Sequence, residues 1–320
     1  MKHTDKENEM PDEPTPREVN TAFMDMLERG QVKEAREAVT DYVRMKMREE
    51  GIFRQILPPV SVTYEDLDTQ ADTDKPVIIC EKEPDSPGAY SVPFGTLPNS
   101  RYIRGRKFRV MFQRLQTPRF VKDIAELGTY DQDIRQILSD NSLKDMQAEE
   151  DAKLIATVES ICVSAGSTVP ETGAVQWQEI ADSITRDSWN DALKVLPSTD
   201  AHFSAATVVI NNVSVLDFQK WTRDQAGGDI AQQIAMEGWG QTNWFGPRTL
   251  VTIKRDLVPD NRIYQFVTPK ALGKFFVLDD VTMHVKAEAF MIEFFAYAMQ
   301  GASIANSAGV GIVDFTGSGS

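Results

Sequence analysis

SLKDMQAEEDAKLIATVESIC, residues 142–162, carries Leu143, Met146, Leu154, Ile155, Val158, Ile161 and Cys162 at helical intervals, with Lys144, Glu149, Glu150 and Lys153 opposite them. The spacing predicts an amphipathic helix. Ser142 is placed to cap its first turn, Asp145 puts negative charge at the positive end of the dipole, and Gly166 offers a left-handed stop. At about 1.5 Å per residue the helix is on the order of 35 Å long, enough to form the spine of a domain.

Upstream, residues 1–14 are polar and mostly acidic and read as a flexible tail. Thr15, Pro16 and Glu18 then form a helix start, and Val19, Phe23, Met26 and Leu27 share one face as far as Gly30. Val32, Ala35, Val39, Tyr42, Val43 and Met47 continue as a second helix to Gly51. This apolar stripe is too narrow to fold alone, so the arm requires a surface from this chain or a neighbouring copy. From Leu57 to Asn99, prolines, the short β-type runs VSVTY and KPVIICE, and the turn string EPDSPGAY predict an excursion of extended chain. In RKFRVMF, Phe108, Val110 and Phe112 alternate with Lys107, Arg109 and Met111, the pattern of a half-buried strand. No Asp or Glu occurs between Asp85 and Asp123. Such a basic strip is either a solvated strand face or a surface for acid in another subunit or for nucleic acid. Set against the acid elsewhere, it gives the subunit two unlike surfaces, which favours assembly of identical copies.

Downstream of the spine, WQEIADSITRDSWNDAL shows helical spacing through Trp177, Ile180, Ile184, Trp189 and Leu193. Ala205 to Ile210 reads as a buried strand, followed by an Asn-Asn turn and a helix burying Val215, Phe218 and Trp221. DQAGGDIAQQIAMEGWGQTNWFGPR reads as a long loop with at most a short helix. Val281, Met283, Val285, Ala287 and Ala289 then alternate with polar residues in one long strand, and Ala302, Ala305, Ala308, Gly309 and Gly311 suit close backbone packing.

The composition narrows the function. With 320 residues, 41% of them hydrophobic, the chain can build a substantial core as one large or two modest domains. A net charge of −14 disfavours sequence-independent nucleic-acid binding. The first residues lack the apolar segment of a signal peptide, and no run approaches the roughly 20 apolar residues of a membrane span. Cys80 and Cys162 make no metal or disulfide pattern, which fits a reducing cytoplasm. His202 and His284 lack a nucleophile motif, GGDIA lacks the lysine of a phosphate loop, and the acidic pairs Glu149–Glu150 and Asp279–Asp280 read as solvated. No catalytic, metal or cofactor residue is expected.

Taken in order, these parts resemble the tailed-bacteriophage major capsid proteins, which share the Hong Kong ninety-seven fold. AEEDAKLIATVESIC is similar to the end of that family's spine helix, AATVVINNVSVLDFQKW to its axial-domain strand, turn and helix, and KAEAFMIEFFAYAMQGASIANSAGVGIVDF to its last long strand and small-residue return. The resemblance implies an α+β phage major capsid fold. Its parts would be an N-terminal helical arm at 1–56, an extended loop and adjoining strand at 57–118, and a peripheral domain at 119–185, completed by about 270–298. An α/β axial domain at 186–269 would be completed by about 299–320.

It implies a structural protein forming the hexamers and pentamers of an icosahedral phage head around double-stranded DNA, without sequence-specific contact. The partners would be other copies, scaffolding and portal proteins and decoration proteins; there would be no cofactor and no membrane, and the subunits would assemble in the host cytoplasm into the virion. The expected inter-subunit contacts are Arg101, Arg104, Arg106, Lys107 and Arg109 on the strip, Phe23, Leu27, Val39 and Tyr42 on the arm, and Gly227 and Gly228 in the glycine-rich loop. The rival readings are a cellular nanocompartment shell of the same fold and a soluble α/β hydrolase or sugar-binding enzyme using His202 or His284.

Overall fold

The structure is a computed structural model that describes residues 51–69, 73–84, 88–97, 100, 102–127, 134–221, 242–243 and 246–317. The described chain begins with α1 (Ile52–Ile56) and β1 (Pro59–Ser61), followed by β2 (Val77–Lys82), β3 (Arg106–Met111), β4 (Gln113–Gln116), β5 (Phe120–Asp123) and α2 (Ile124–Leu127). The long helix α3 (Ile134–Cys162) leads to β6 (Trp177–Ile180), α4 (Arg186–Ala192), β7 (Thr207–Asn211), a 3₁₀ helix at Ser214–Lys220, β8 (Thr242–Asn243) and β9 (Arg248–Thr252). The chain closes with β10 (Arg262–Phe266), α5 (Pro269–Leu272), β11 (Gly273–Glu288), β12 (Met291–Ile304) and β13 (Val310–Phe315). Among the described residues no helix is long and apolar enough to cross a membrane.

Two compact units divide the chain. One takes Arg114–Gln147 and Asp279–Met299 of the described residues; the other takes Gly51–Gln113, Ala148–Leu278 and the chain from Gln300. In the first, β5 pairs antiparallel with β12 from Phe120↔Phe294 to Asp123↔Met291. Thr117 closes the same strand twice: its N–H donates to Ala296 O at 2.9 Å, and Ala296 N–H donates to its hydroxyl at 2.9 Å. Val281, Met283 and Val285 are buried, so the alternation predicted for the long strand is realised as far as Val285; Ala287 is exposed and Ala289 lies in the turn beyond the strand.

The second unit holds a six-stranded mixed sheet in the order β6-β13-β10-β7-β9-β8. One face carries Val209, Leu250, Tyr264, Phe266, Val310 and Ile312, which form one core with Leu154, Ile155, Val158 and Cys162 of α3 and with Phe53, Ile56 and Leu57. Fully burying each aliphatic of that stripe contributes ~1.5–3 kcal/mol. The other face carries Val208, Ile210, Ile263 and Val313, packed with Trp189, Val195 and Phe218. Trp189 meets Phe218 edge-on at 5.0 Å, and Trp221 Nε1–H donates to Ile184 O at 2.8 Å. The expected close packing of the C-terminal small residues appears at Ala308, Gly309 and Gly311, where a Cβ at Gly309 would lie 2.7 Å from Val267 Cγ1, but Ala302 is exposed and Ala305 half-buried.

The C-terminal end of α3 is tied to the sheet through Arg262. Its guanidinium donates to Asp314 at 2.5 and 3.0 Å and to Glu159 at 3.1 Å, and it lies 4.8 Å over the Trp177 ring. Tyr264 Oη–H donates to Glu159 at 3.0 Å, and Trp177 Nε1–H to Asp314 at 2.7 Å. Burial works against the Arg262 charge, but Asp314 and Tyr264 together outweigh it and raise the guanidinium above its ordinary range.

Four sequence expectations are corrected. The long helix begins at Ile134, and Ser142 is buried inside it instead of capping it. A serine preceding an apolar run is a weak boundary where the helix is held by packing. The first left-handed residue after α3 is Val163, at φ 67°; Gly166 is left-handed as expected, at φ 72°, but lies three residues further on, where its N–H donates to Trp177 O. Glu150 belongs to the buried stripe, 1% exposed, because positions 143, 146, 147, 150, 151, 154, 155 and 158 follow one helical row. Lastly, WQEI is an edge strand paired parallel with β13, so the helix in that stretch starts only at Arg186, behind the Thr185–Ser188 capping box. The predicted turn after β7 is present: Asn211 Oδ1 accepts the N–H groups of Val213 and Ser214, but the chain then continues as a 3₁₀ helix.

A branched side chain in the left-handed region costs roughly 1–2 kcal/mol. Val163→Gly is therefore expected to raise the unfolding free energy by about 1 kcal/mol in urea titration; a loss would show that the exposed valine side chain outweighs its backbone strain. Phe266→Ala, which empties a fully buried sheet position, is expected to lower it by about 3–5 kcal/mol in the same titration.

Candidate interaction surfaces

In the unit that contains the six-stranded sheet, β2 and β3 form a two-stranded antiparallel ribbon, in register from Val77↔Met111 to Lys82↔Arg106. Val110 is buried and Ile78, Cys80 and Phe108 are half-buried on one face, which is therefore the inner one, while Ile79 and Met111 on the opposite face are exposed. Arg104, Arg106, Lys107 and Arg109 are all exposed on the ribbon and its approach. Lys107 sits 3.8 Å from Glu81 across the ribbon, a well-solvated pair that contributes little. A two-stranded ribbon is marginal in water without a covering surface.

The connection between β2 and β3 bears Tyr90, Val92, Phe94, Leu97, Tyr102 and Ile103, all exposed. The local backbone accounts for this. Gly95 at φ 87° and the hydrogen bonds from Thr96 N–H and Oγ1–H to Pro93 O close a tight turn that leaves Phe94 with no protein cover. Phe94, Leu97 and Tyr102 have not collapsed onto the body, as an isolated loop of this composition would favour.

In the other unit, β11 and β12 are joined by Ala289 and Phe290. Ala289 stands at φ 54°, a conformation that hairpin turns usually give to glycine or asparagine, and Phe290 is 77% exposed. Met291 and Val121 extend this apolar tip. Arg119 lies beside it, 3.7 Å from Glu293 and 5.9 Å over the Phe295 ring. Lys286 donates to Glu288, and that hydrogen bond holds the Glu288 carboxyl below its ordinary range.

No catalytic arrangement accompanies these surfaces among the described residues. His202 is exposed, with Nδ1 3.2 Å from Pro197 O, and His284 lies 4.7 Å from the Phe295 ring. Burial pushes the Cys162 thiol up to about 12 and also raises that of Cys80, so neither is an activated nucleophile. Among the described residues no group of three or more His, Cys, Asp or Glu could hold a metal ion.

Lys107 and Arg109 thus lie on one face of the ribbon and Arg106 on the other, with Arg104 on its approach. Arg101, Phe23, Leu27, Val39, Tyr42, Gly227 and Gly228 lie outside the described residues. The exposed apolar side chains of the connecting loop and of the hairpin tip escaped the sequence reading. Their signal was an apolar run without period 2 or 3.6, broken by Pro87, Gly88, Pro93, Gly95 and Pro98.

No family model and no curated protein matches the chain. Solved structures do. A virus-like particle from Pyrococcus furiosus is similar over 87% of this chain and 98% of its own, with a TM-score of 0.55 and 14% identity. The bacteriophage PhiM1 mature capsid is similar over 83% of this chain and 87% of its own, with a TM-score of 0.57 and 10% identity. The capsid of a native GTA particle is similar over 82% and 89%, with a TM-score of 0.55 and 13% identity. With helices and mixed sheets that superpose on those shells over most of the chain, the chain has the tailed-phage major capsid fold, the Hong Kong ninety-seven fold.

Proposed function

We propose that this chain is a structural shell protein whose copies form the hexamers and pentamers of an icosahedral phage head enclosing double-stranded DNA. The observation that carries the reading is a capsid fold combined with an uncovered apolar loop on a basic ribbon. A monomer gains nothing by holding Phe94 and Leu97 in water; a neighbouring copy that covers them gains hydrophobic area and neutralises Arg104 and Arg109 against acid. Arm, ribbon and hairpin tip give each subunit unlike surfaces, the requirement for heterologous contacts that close into rings.

In this reading residues 1–56 are the arm, 57–118 the extended loop, 119–185 with 270–298 the peripheral domain, and 186–269 with 299–320 the axial domain. Scaffolding, portal and decoration proteins are the expected partners, and the shell assembles in the host cytoplasm. A net charge of −14 suits a container whose wall repels packed phosphate.

A second reading, a nanocompartment without a genome, is supported by the virus-like particle among the structural neighbours. The nucleic-acid content of purified particles separates the two. Expressed alone, the chain is expected to form closed shells or capsomers in negative-stain images, and a single monomeric species by light scattering would overturn the proposal. Phe94→Asp combined with Leu97→Asp is expected to block shell formation while leaving the thermal midpoint within about 3 °C of the parent, because neither side chain is buried in the subunit. Shells of normal yield from that variant would remove the loop from the assembly surface.

A further inference from the structure

The five-residue helix α1 is held more elaborately than its size requires. Gly51, at its N-cap, has no side chain to close the first turn. Asp151 of α3 supplies the cap from 98 residues away: its Oδ1 accepts the Phe53 N–H at 2.9 Å, and its Oδ2 accepts Lys254 Nζ at 2.7 Å. The neighbouring Glu150 receives the Arg54 guanidinium in a two-pronged pair, 3.1 Å at each oxygen. Arg54 also lies 5.7 Å over Phe275, whose ring is 4.5 Å from that of Phe53, and Arg248 donates to Gln55 Oε1 at 3.1 Å. Three consecutive residues are thus gripped by side chains of α3 and β9, and Ile56 and Leu57 are buried directly after them.

Stability alone does not explain the choice of ion pairs. The Arg54 and Glu150 side chains are 8% and 1% exposed, and a buried pair of this kind contributes little beyond what apolar side chains of equal volume would. Burial raises the Glu150 carboxyl above its ordinary range even though Arg54 pulls the other way. Folded and ionised, Glu150 therefore costs stability near neutral pH and costs less as pH falls toward the ordinary carboxylate range. What directional bonds on residues 53, 54 and 55 do confer is a single position and rotation of the segment.

The segment matters because of what precedes it. Fifty residues with two amphipathic periods lead into Gly51, and their apolar stripe needs a surface. Fixing the residues at which that sequence joins the body sets which surfaces it can reach, and raises its effective concentration there. We propose that Glu150 and Asp151 are positioning residues: they moor residues 53–55 so that the N-terminal fifty residues leave the body at one fixed point and in one direction, which selects the neighbouring surface they engage during assembly. This rests on the shell reading.

The test compares the full-length chain with Arg54→Met/Glu150→Met, which fills the site with apolar volume, and with Val313→Ala, a cavity in the core on the opposite face of the six-stranded sheet. Particle sizes are read by electron microscopy and thermal midpoints by calorimetry. The double variant is expected to keep its midpoint within about 3 °C yet give a broad spread of sizes or unclosed shells, while Val313→Ala loses stability and keeps the parent's size class. A double variant with the parent's single size class would overturn the mooring, and so would one that fails to fold, since the pair would then be a stabilising element. Failure of the shell reading appears separately, as an absence of particles from the unmodified chain, and takes the assembly role with it.

Discussion

The fold depends on one burial event: the stripe of α3 from Leu154 to Cys162 closing over the face of the six-stranded sheet that bears Val209, Leu250, Tyr264, Phe266 and Ile312. A helix of 29 residues with so mixed a composition would not persist alone, and that sheet would expose one face without it. The contact also sets direction. Arg262, Glu159 and Asp314 pin the helix end, and Glu150 and Asp151 hold residues 53–55, so α3 serves as the reference to which chain segments far apart in sequence are registered.

What the core does not cover is equally specific. Phe94 and Phe290 are each presented by a turn whose backbone is set by a left-handed residue, Gly95 or Ala289. Backbone geometry that keeps aromatic side chains in water persists only where something outside the subunit compensates for it. The two surfaces lie in different compact units, and the loop adds a run of positive charge to a chain that is acidic as a whole. The proposed closed assembly of identical copies would account for all of these features.

The periodic elements were legible in the sequence. Leu143 to Cys162, Phe108 to Phe112, Thr207 to Ile210 and Val281 to Val285 each bury the residues their spacing selects, because one buried face imposes one period. Boundaries and buried charge were not. Ser142 looked like a cap because local hydrogen bonding favours it there, but packing carried the helix past it. Glu150 was placed in solvent by residue type, although its position in the helical row already put it inside; the compensating Arg54 lies 96 residues away and leaves no local trace. Trp177 to Ile180 became a strand because β13 offered an open edge, again a partner far off in the chain. The exposed loop and hairpin tip were missed for the converse reason: an apolar run without period reads as noise unless its turns are known.

The most direct test of the claim that identical copies cover these surfaces is amide hydrogen exchange at residues 88–97 and 102–111, measured on dissociated subunits and on assembled particles under one buffer condition. The account predicts exchange slowed by at least about tenfold on assembly, equivalent to roughly 1.4 kcal/mol of added protection, because a neighbour then covers the loop and the ribbon. Equal rates in the two states would contradict it.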